Sequence, residues 1–104
     1  MHASIRRYES IDQSRKSEIL KKAEDNLVPK LSELPGFNGY SLIDAGDGVM
    51  TSLSFFDTAA QADESTRISS SWVRDQKLET ALPTAPKITR GPVVVEKFRE
   101  LVQA

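Results

Sequence analysis

The chain opens on an alternation. In residues 2–9, HASIRRYE, Ala3 and Ile5 share one register while Ser4, Arg6 and Tyr8 share the other, the period of two that a strand requires. From about Asp12 to Leu34 the period changes. Leu20, Ala23, Leu27, Leu31 and Leu34 recur at spacings of three and four, with Lys21, Lys22, Glu24 and Asp25 off that stripe, which predicts an amphipathic helix. Pro29 lies inside it and should kink the helix or start a new turn. Pro35-Gly36 then marks a helix stop and a chain reversal. Phe37 to Ile43 and Val49 to Phe56 read as a second and third strand, joined by a turn at Asp44-Ala45-Gly46-Asp47-Gly48 whose Asp-Gly step tolerates positive φ and signals a hairpin. Thr58-Ala59-Ala60-Gln61 has the spacing of a capping box, so a second helix should begin there and run to about Gln76. Its inward line, Ala62, Ser65, Ser69 and Trp72, is polar for a core-facing stripe. After a connection over residues 77–88 with Pro83, Pro86 and room for a short helical turn, Gly91 to Phe98 reads as the last strand on its Val93-Val94-Val95 run.

The order βαββαβ predicts a ferredoxin-like α+β fold: an antiparallel sheet with two helices on one face. The other face then needs cover. Leu42, Met50, Phe56 and Val94 are the candidates for that second face, and apolar side chains on both faces of so short a sheet argue for a homodimer formed through the sheets.

Composition narrows the partners. A chain of 104 residues is expected to form one domain, 1–104, and one this small gains from added partner surface. The formal charge is −1, from 14 basic and 15 acidic residues without a basic block, so no nucleic acid partner is expected. The absence of cysteine removes disulfides, zinc-thiolate sites and thiol nucleophiles. No apolar run approaches the roughly 20 residues of a membrane span, and Met1-His2-Ala3-Ser4 lacks an apolar signal region, so the expected location is cytoplasmic, with no membrane association. No metal and no cofactor is expected: the 44–48 turn lacks the further ligands of a calcium loop, and no phosphate-loop or dinucleotide motif occurs. His2, the only histidine, is a poor base for a Ser/His/Asp triad.

The turn-strand Leu34-Pro35-Gly36-Phe37-Asn38-Gly39-Tyr40, the hairpin Asp47-Gly48, the join Phe55-Phe56-Asp57 and the helical Trp72-Val73 together resemble the antibiotic biosynthesis monooxygenase-like proteins, and look most like a bacterial subgroup of them. That resemblance, over nearly the whole chain, implies a dimeric α+β barrel with a ligand cavity inside each subunit, between sheet and helices. It implies a cofactor-independent monooxygenase, an oxidoreductase acting on a small aromatic or quinol-like compound. The alternative is a non-catalytic ligand-binding or assembly dimer. Relatives that degrade haem carry an Asn, a Trp and a His at positions matched here by Arg7, Ser65 and the neighbourhood of Asp75, so haem degradation is disfavoured.

For such a cavity the residues offer Arg7, on the Ala3-Ile5 register, as a cation that would steady a phenolate or enolate, or else as a plain salt-bridge partner of Glu9, Glu96 or Asp44. Phe37, Phe55 and Trp72 would hold the ring, although core filling is the more ordinary role for Trp72. Ser65 and Ser69 would line a small polar space, or else face solvent or bond back to the preceding turn. Tyr8 and Tyr40 would orient a ligand or simply pack across strands.

Overall fold

The computed structural model describes residues 1–99. Strand β1 (His2–Tyr8) is followed by a 3₁₀ turn (Gln13–Arg15) whose first amides are capped by the Asp12 carboxylate, which accepts from the Ser14 N–H at 3.1 Å. The helix α1 then covers residues 16–32 in three segments, Lys16–Lys22, Ala23–Leu27 and Val28–Ser32. The middle one is wound as a π turn, with the Val28 N–H bonded to the Ala23 carbonyl. Pro29 follows at once. It has no N–H to give to residue 25, and the wider turn absorbs that loss without ending the helix.

The π turn also decides which side chains face inward. Ile19, Ala23, Leu27 and Leu31 are buried at steps of four, while Leu20, expected on the stripe, is 39% exposed. In a uniform α-helix steps of four drift around the axis; one wider turn brings them back into line.

Gly36, at φ +76°, reverses the chain into β2 (Phe37–Gly46). A Cβ there would lie 2.0 Å from the Gln61 side-chain oxygen, so only glycine fits. The hairpin to β3 (Val49–Phe56) turns on Asp47-Gly48, both at positive φ, with an irregularity in pairing between Asp44 and Gly46. The second helix, α2 (Ala59–Asp75), starts in the expected capping box: the Gln61 N–H donates to Thr58 Oγ1 and the Thr58 N–H to Gln61 Oε1. Residues 77–82 form one hydrogen-bonded turn that buries Leu78, Ala81 and Leu82 beneath the core.

All strand pairs are antiparallel, in the order β2-β3-β1-β4, the ferredoxin-like arrangement, with β4 at Lys87–Pro92. The last strand therefore ends before the valine run that suggested it. Pro92 pairs with His2, the first residue of β1; the Val93 N–H reaches the Met1 carbonyl at 2.8 Å, and beyond that β1 offers no partner.

The faces are also reversed from expectation. Met50 and Phe56 are 2% and 0% exposed beneath the helices, and Leu42 packs on the same core. They belong to the covered face, and Val94, 85% exposed, lies beyond β4 on neither. The outer register is Ala3, Ile5 and Arg7 of β1 against Phe55, Leu53 and Thr51 of β3, flanked by Ile43. The third strand carries apolar residues on both registers, so its alternation alone does not say which face is inside.

Candidate functional site

The covered face is unusually polar. Ser4, Arg6, Ser52, Ser54, Ser65 and Ser69 are all at most 2% exposed, in a layer where aliphatic side chains would be expected. Strand register assembles part of this layer: Arg6 lies opposite Ser52, and Ser4 opposite Ser54. Sequence reasoning placed the cation one residue too far on. Arg7 points away from the helices, exposed, and its Nε donates to Glu9 at 3.4 Å, one of the salt bridges considered for it.

Arg6 is 1% exposed. Its Nη2 donates to Ser54 Oγ at the long distance of 3.5 Å; its Nε and Nη1 make no well-formed hydrogen bond, and the groups close enough to interact with the guanidinium are the neutral hydroxyls of Tyr8 and Tyr40. Among the described residues no carboxylate pairs with it. A guanidinium carries its charge wherever it is placed. Burying one without an anion costs several kcal/mol by general estimate, about the scale of a whole domain's margin of stability.

Arg6 faces a cavity of about 20 Å³, room for roughly one water. Tyr8, Tyr40, Ser52 and Trp72 share its wall, with Ile19, Ala23 and Leu27 of α1 closing the apolar side. The Ser52 hydroxyl and the Trp72 indole N–H are, like two nitrogens of Arg6, buried without partners. Both tyrosines have pKa values above the ordinary phenol range because burial disfavours the phenolate; the nearby Arg6 charge opposes that rise. Every polar group here is therefore a cation or a neutral hydrogen-bond donor, and no carboxylate or imidazole lines the cavity to act as a base. Such a set stabilises an anion. Among the described residues no three His, Cys, Asp or Glu side chains come together as a metal-holding group.

Of the other residues singled out from the sequence, Trp72 stands in the cavity wall and is 4% exposed. Phe37 lies outside the lining and packs edge-on to Phe56, ring centres 5.7 Å apart. Phe55 is on the outer sheet face against Phe98, so it cannot hold a ring under the helices. Ser65 and Ser69 are buried but do not line the cavity; their hydroxyls donate to the carbonyls of Ala62 at 2.6 Å and Ser65 at 2.9 Å, bonding back to the helix. The missed residue, Arg6, was detectable only as the register-mate of Tyr8 and Ser4.

No protein-family model matches the chain, and no curated protein does. Solved structures match along nearly its full length. A monooxygenase of Streptomyces coelicolor, in complex with nanaomycin D, is 12% identical with a TM-score of 0.73, covering 95% of this chain and 92% of that one. An antibiotic biosynthesis monooxygenase is 17% identical with a TM-score of 0.70, covering 91% and 100%. A dimeric ferredoxin-like protein from an uncultured marine organism is 16% identical with a TM-score of 0.67, covering 95% and 92%. At such identities the likeness is one of architecture, and the chain has the ferredoxin-like α+β fold that these monooxygenases share.

Proposed function

We propose that the protein binds a small aromatic anion, a phenolate or quinol-type enolate, beneath Arg6, and oxidises it as a cofactor-independent monooxygenase. The observation that carries this reading is the buried, anion-less guanidinium of Arg6, set among further unpartnered donors. The fold likeness to monooxygenases supports the reaction class. A bound phenolate would complete the charge pair, and the phenol's acidity would rise beside the cation. The phenol gives its proton to solvent and is bound as the anion, which makes the ring electron-rich enough to react with O₂. One oxygen atom replaces the ring hydrogen and the other leaves as water, so a phenol becomes a quinone with O₂ as the sole oxidant and no external reductant. Arg6 takes the role first assigned to Arg7, and Trp72 offers its flat face to the ring.

The protein acts, in this reading, as a homodimer through the outer sheet face. Ile5, Leu53 and Phe55 lie together there, and a dimeric protein shares the fold.

Reduced menadione tests the reading. Oxygen uptake above the uncatalysed rate is expected, and Arg6→Met should reduce kcat/KM by about 100-fold, the scale of losing one preorganised charge contact. Quenching of Trp72 fluorescence without oxygen uptake would establish instead a binding protein. Turnover unchanged in Arg6→Met would remove Arg6 from the mechanism.

A further inference from the structure

Resting on the anion-binding reading, the closed cavity has a difficulty of size. About 20 Å³ cannot hold an aromatic ring, whereas ligand sites for such molecules measure hundreds of Å³. A groove of about 430 Å³ adjoins it at Trp72, lined by Lys30, Glu33 and Leu34 at the end of the first helix and by Arg67, Ile68, Ser71, Trp72 and Asp75 of the second. Trp72 is the one residue common to both walls.

We infer that the inner cavity and the outer groove are two halves of one composite site, joined when the Trp72 side chain swings aside. A second observation supports motion of this residue: its indole N–H is buried without a hydrogen-bond partner, a state that buried tryptophans generally avoid. The neighbouring wall is equally irregular, because Ala23 and Leu27, which bound the cavity beside Trp72, are the first and last residues of the π turn.

The groove defines what the outer half accepts. Its rim carries two cations, Lys30 and Arg67, and two anions, Glu33 and Asp75, with the Ser71 hydroxyl between. Arg67 is already engaged by Glu64. A rim of both signs selects for hydrogen bonding and not for net charge. The ligand class is therefore an aromatic phenol or enol, its acidic end at Arg6, extended by a neutral hydroxylated or amide-bearing group that rests in the groove. A bare phenol would fill only half of the site.

The competing route is a smaller pocket of about 150 Å³, lined in part by residues 84–86, which shares Tyr8 and Leu82 with the cavity. Trp72, the sole tryptophan, distinguishes the two routes by its own fluorescence. Acrylamide quenching of the ligand-free protein should exceed that of a static indole 4% exposed. Ser71→Phe, which fills the groove, should abolish that excess, while Ala85→Phe, which fills the other pocket, should leave it unchanged. Glu33→Phe serves as the second groove-filling variant should Ser71→Phe fail to fold. In stopped-flow mixing with 1-hydroxy-2-naphthoate, groove filling should slow association at least about tenfold, within the range by which on-rates vary among mutants. Quenching at the static level, or loss of quenching in Ala85→Phe instead, overturns the composite site. Normal quenching behaviour with no naphthoate binding by any variant would leave the moving tryptophan in place and defeat the anion-binding reading alone.

Discussion

The two faces of this sheet are built the wrong way round. Beneath the helices, where water is excluded, β1 and β3 place Ser4, Arg6, Ser52 and Ser54; on the uncovered side the same strands place Ala3, Ile5, Leu53 and Phe55. Each face is at odds with its surroundings, and each discrepancy has its own meaning. A buried cation without an anion marks a place for a ligand, and an uncovered apolar sheet marks a place for a partner subunit. Apolar side chains reach this layer from the sheet only toward its ends, at Tyr8, Leu42, Met50 and Phe56; the rest of the core comes from the helices and the 78–82 turn.

The largest effect should come from reversing the outer face. Leu53→Asp would put a carboxylate from each subunit into the proposed interface and weaken association by about 100-fold or more, since burying a charge in an apolar contact costs several kcal/mol. Sedimentation or native mass spectrometry would read this as conversion to monomer. An unaltered dimer would move the interface elsewhere.

Next in size is the inner face. Arg6→Met removes the unpaired charge at similar volume and should stabilise the fold by about 1–4 kcal/mol while ligand binding is lost. Each kcal/mol raises the melting temperature by about 4–8 °C in a domain of this size. Arg7→Met, on the other face and exposed, should change stability by less than about 0.5 kcal/mol. This pair of adjacent substitutions gives the sharpest form of the comparison, and equal effects would abolish it.

How much of this was legible beforehand follows from the same two faces. The capping box, the Asp-Gly hairpin and the element order are local, because each depends on residues within a few positions of one another, and sequence reading found them at Thr58, Asp47 and Gly36. The choice of inner face is not local. VMTSLSFF has apolar residues on both registers, and what selects Met50 and Phe56 for burial is the packing of α1 and α2 against them. With the face misassigned, Phe55 moved out of the site and Arg7 took the place of Arg6. The strand end at Pro92 was hidden for a related reason: pairing is limited by where β1 begins, not by the β-branched residues that follow.

Two titrations give smaller effects. Tyr8 and Tyr40 have folded-state pKa values raised by burial, so the stability they contribute is full below the ordinary phenol value and is lost as pH rises through their folded values. Absorbance of tyrosinate should appear only together with loss of the folded circular dichroism signal; ionisation in the native protein below pH 10 would show the cavity to be wet. Smallest is the contribution of Glu18, held by Arg15 and Lys22, whose carboxyl is lowered to about 2. Its contribution is complete above the unfolded value of about 4.5 and is lost as pH falls toward 2, so Glu18→Gln should lower stability slightly at neutrality and flatten the acid dependence, the two proteins converging as pH falls toward 2.

The contact between Gly36 and Gln61 has a consequence for the order in which the molecule closes. The Gln61 side chain that caps α2 occupies the space a Cβ on residue 36 would need, and the Asp57 N–H is held by the Gly36 carbonyl at 2.9 Å. Initiation of the second helix is thereby tied to a turn more than twenty residues earlier in the chain. The amides of Asp57, Thr58 and Gln61 should exchange with solvent deuterium as one cooperative unit with those at the start of β2, and Gly36→Ala should release them together while the far end of α2 keeps its protection.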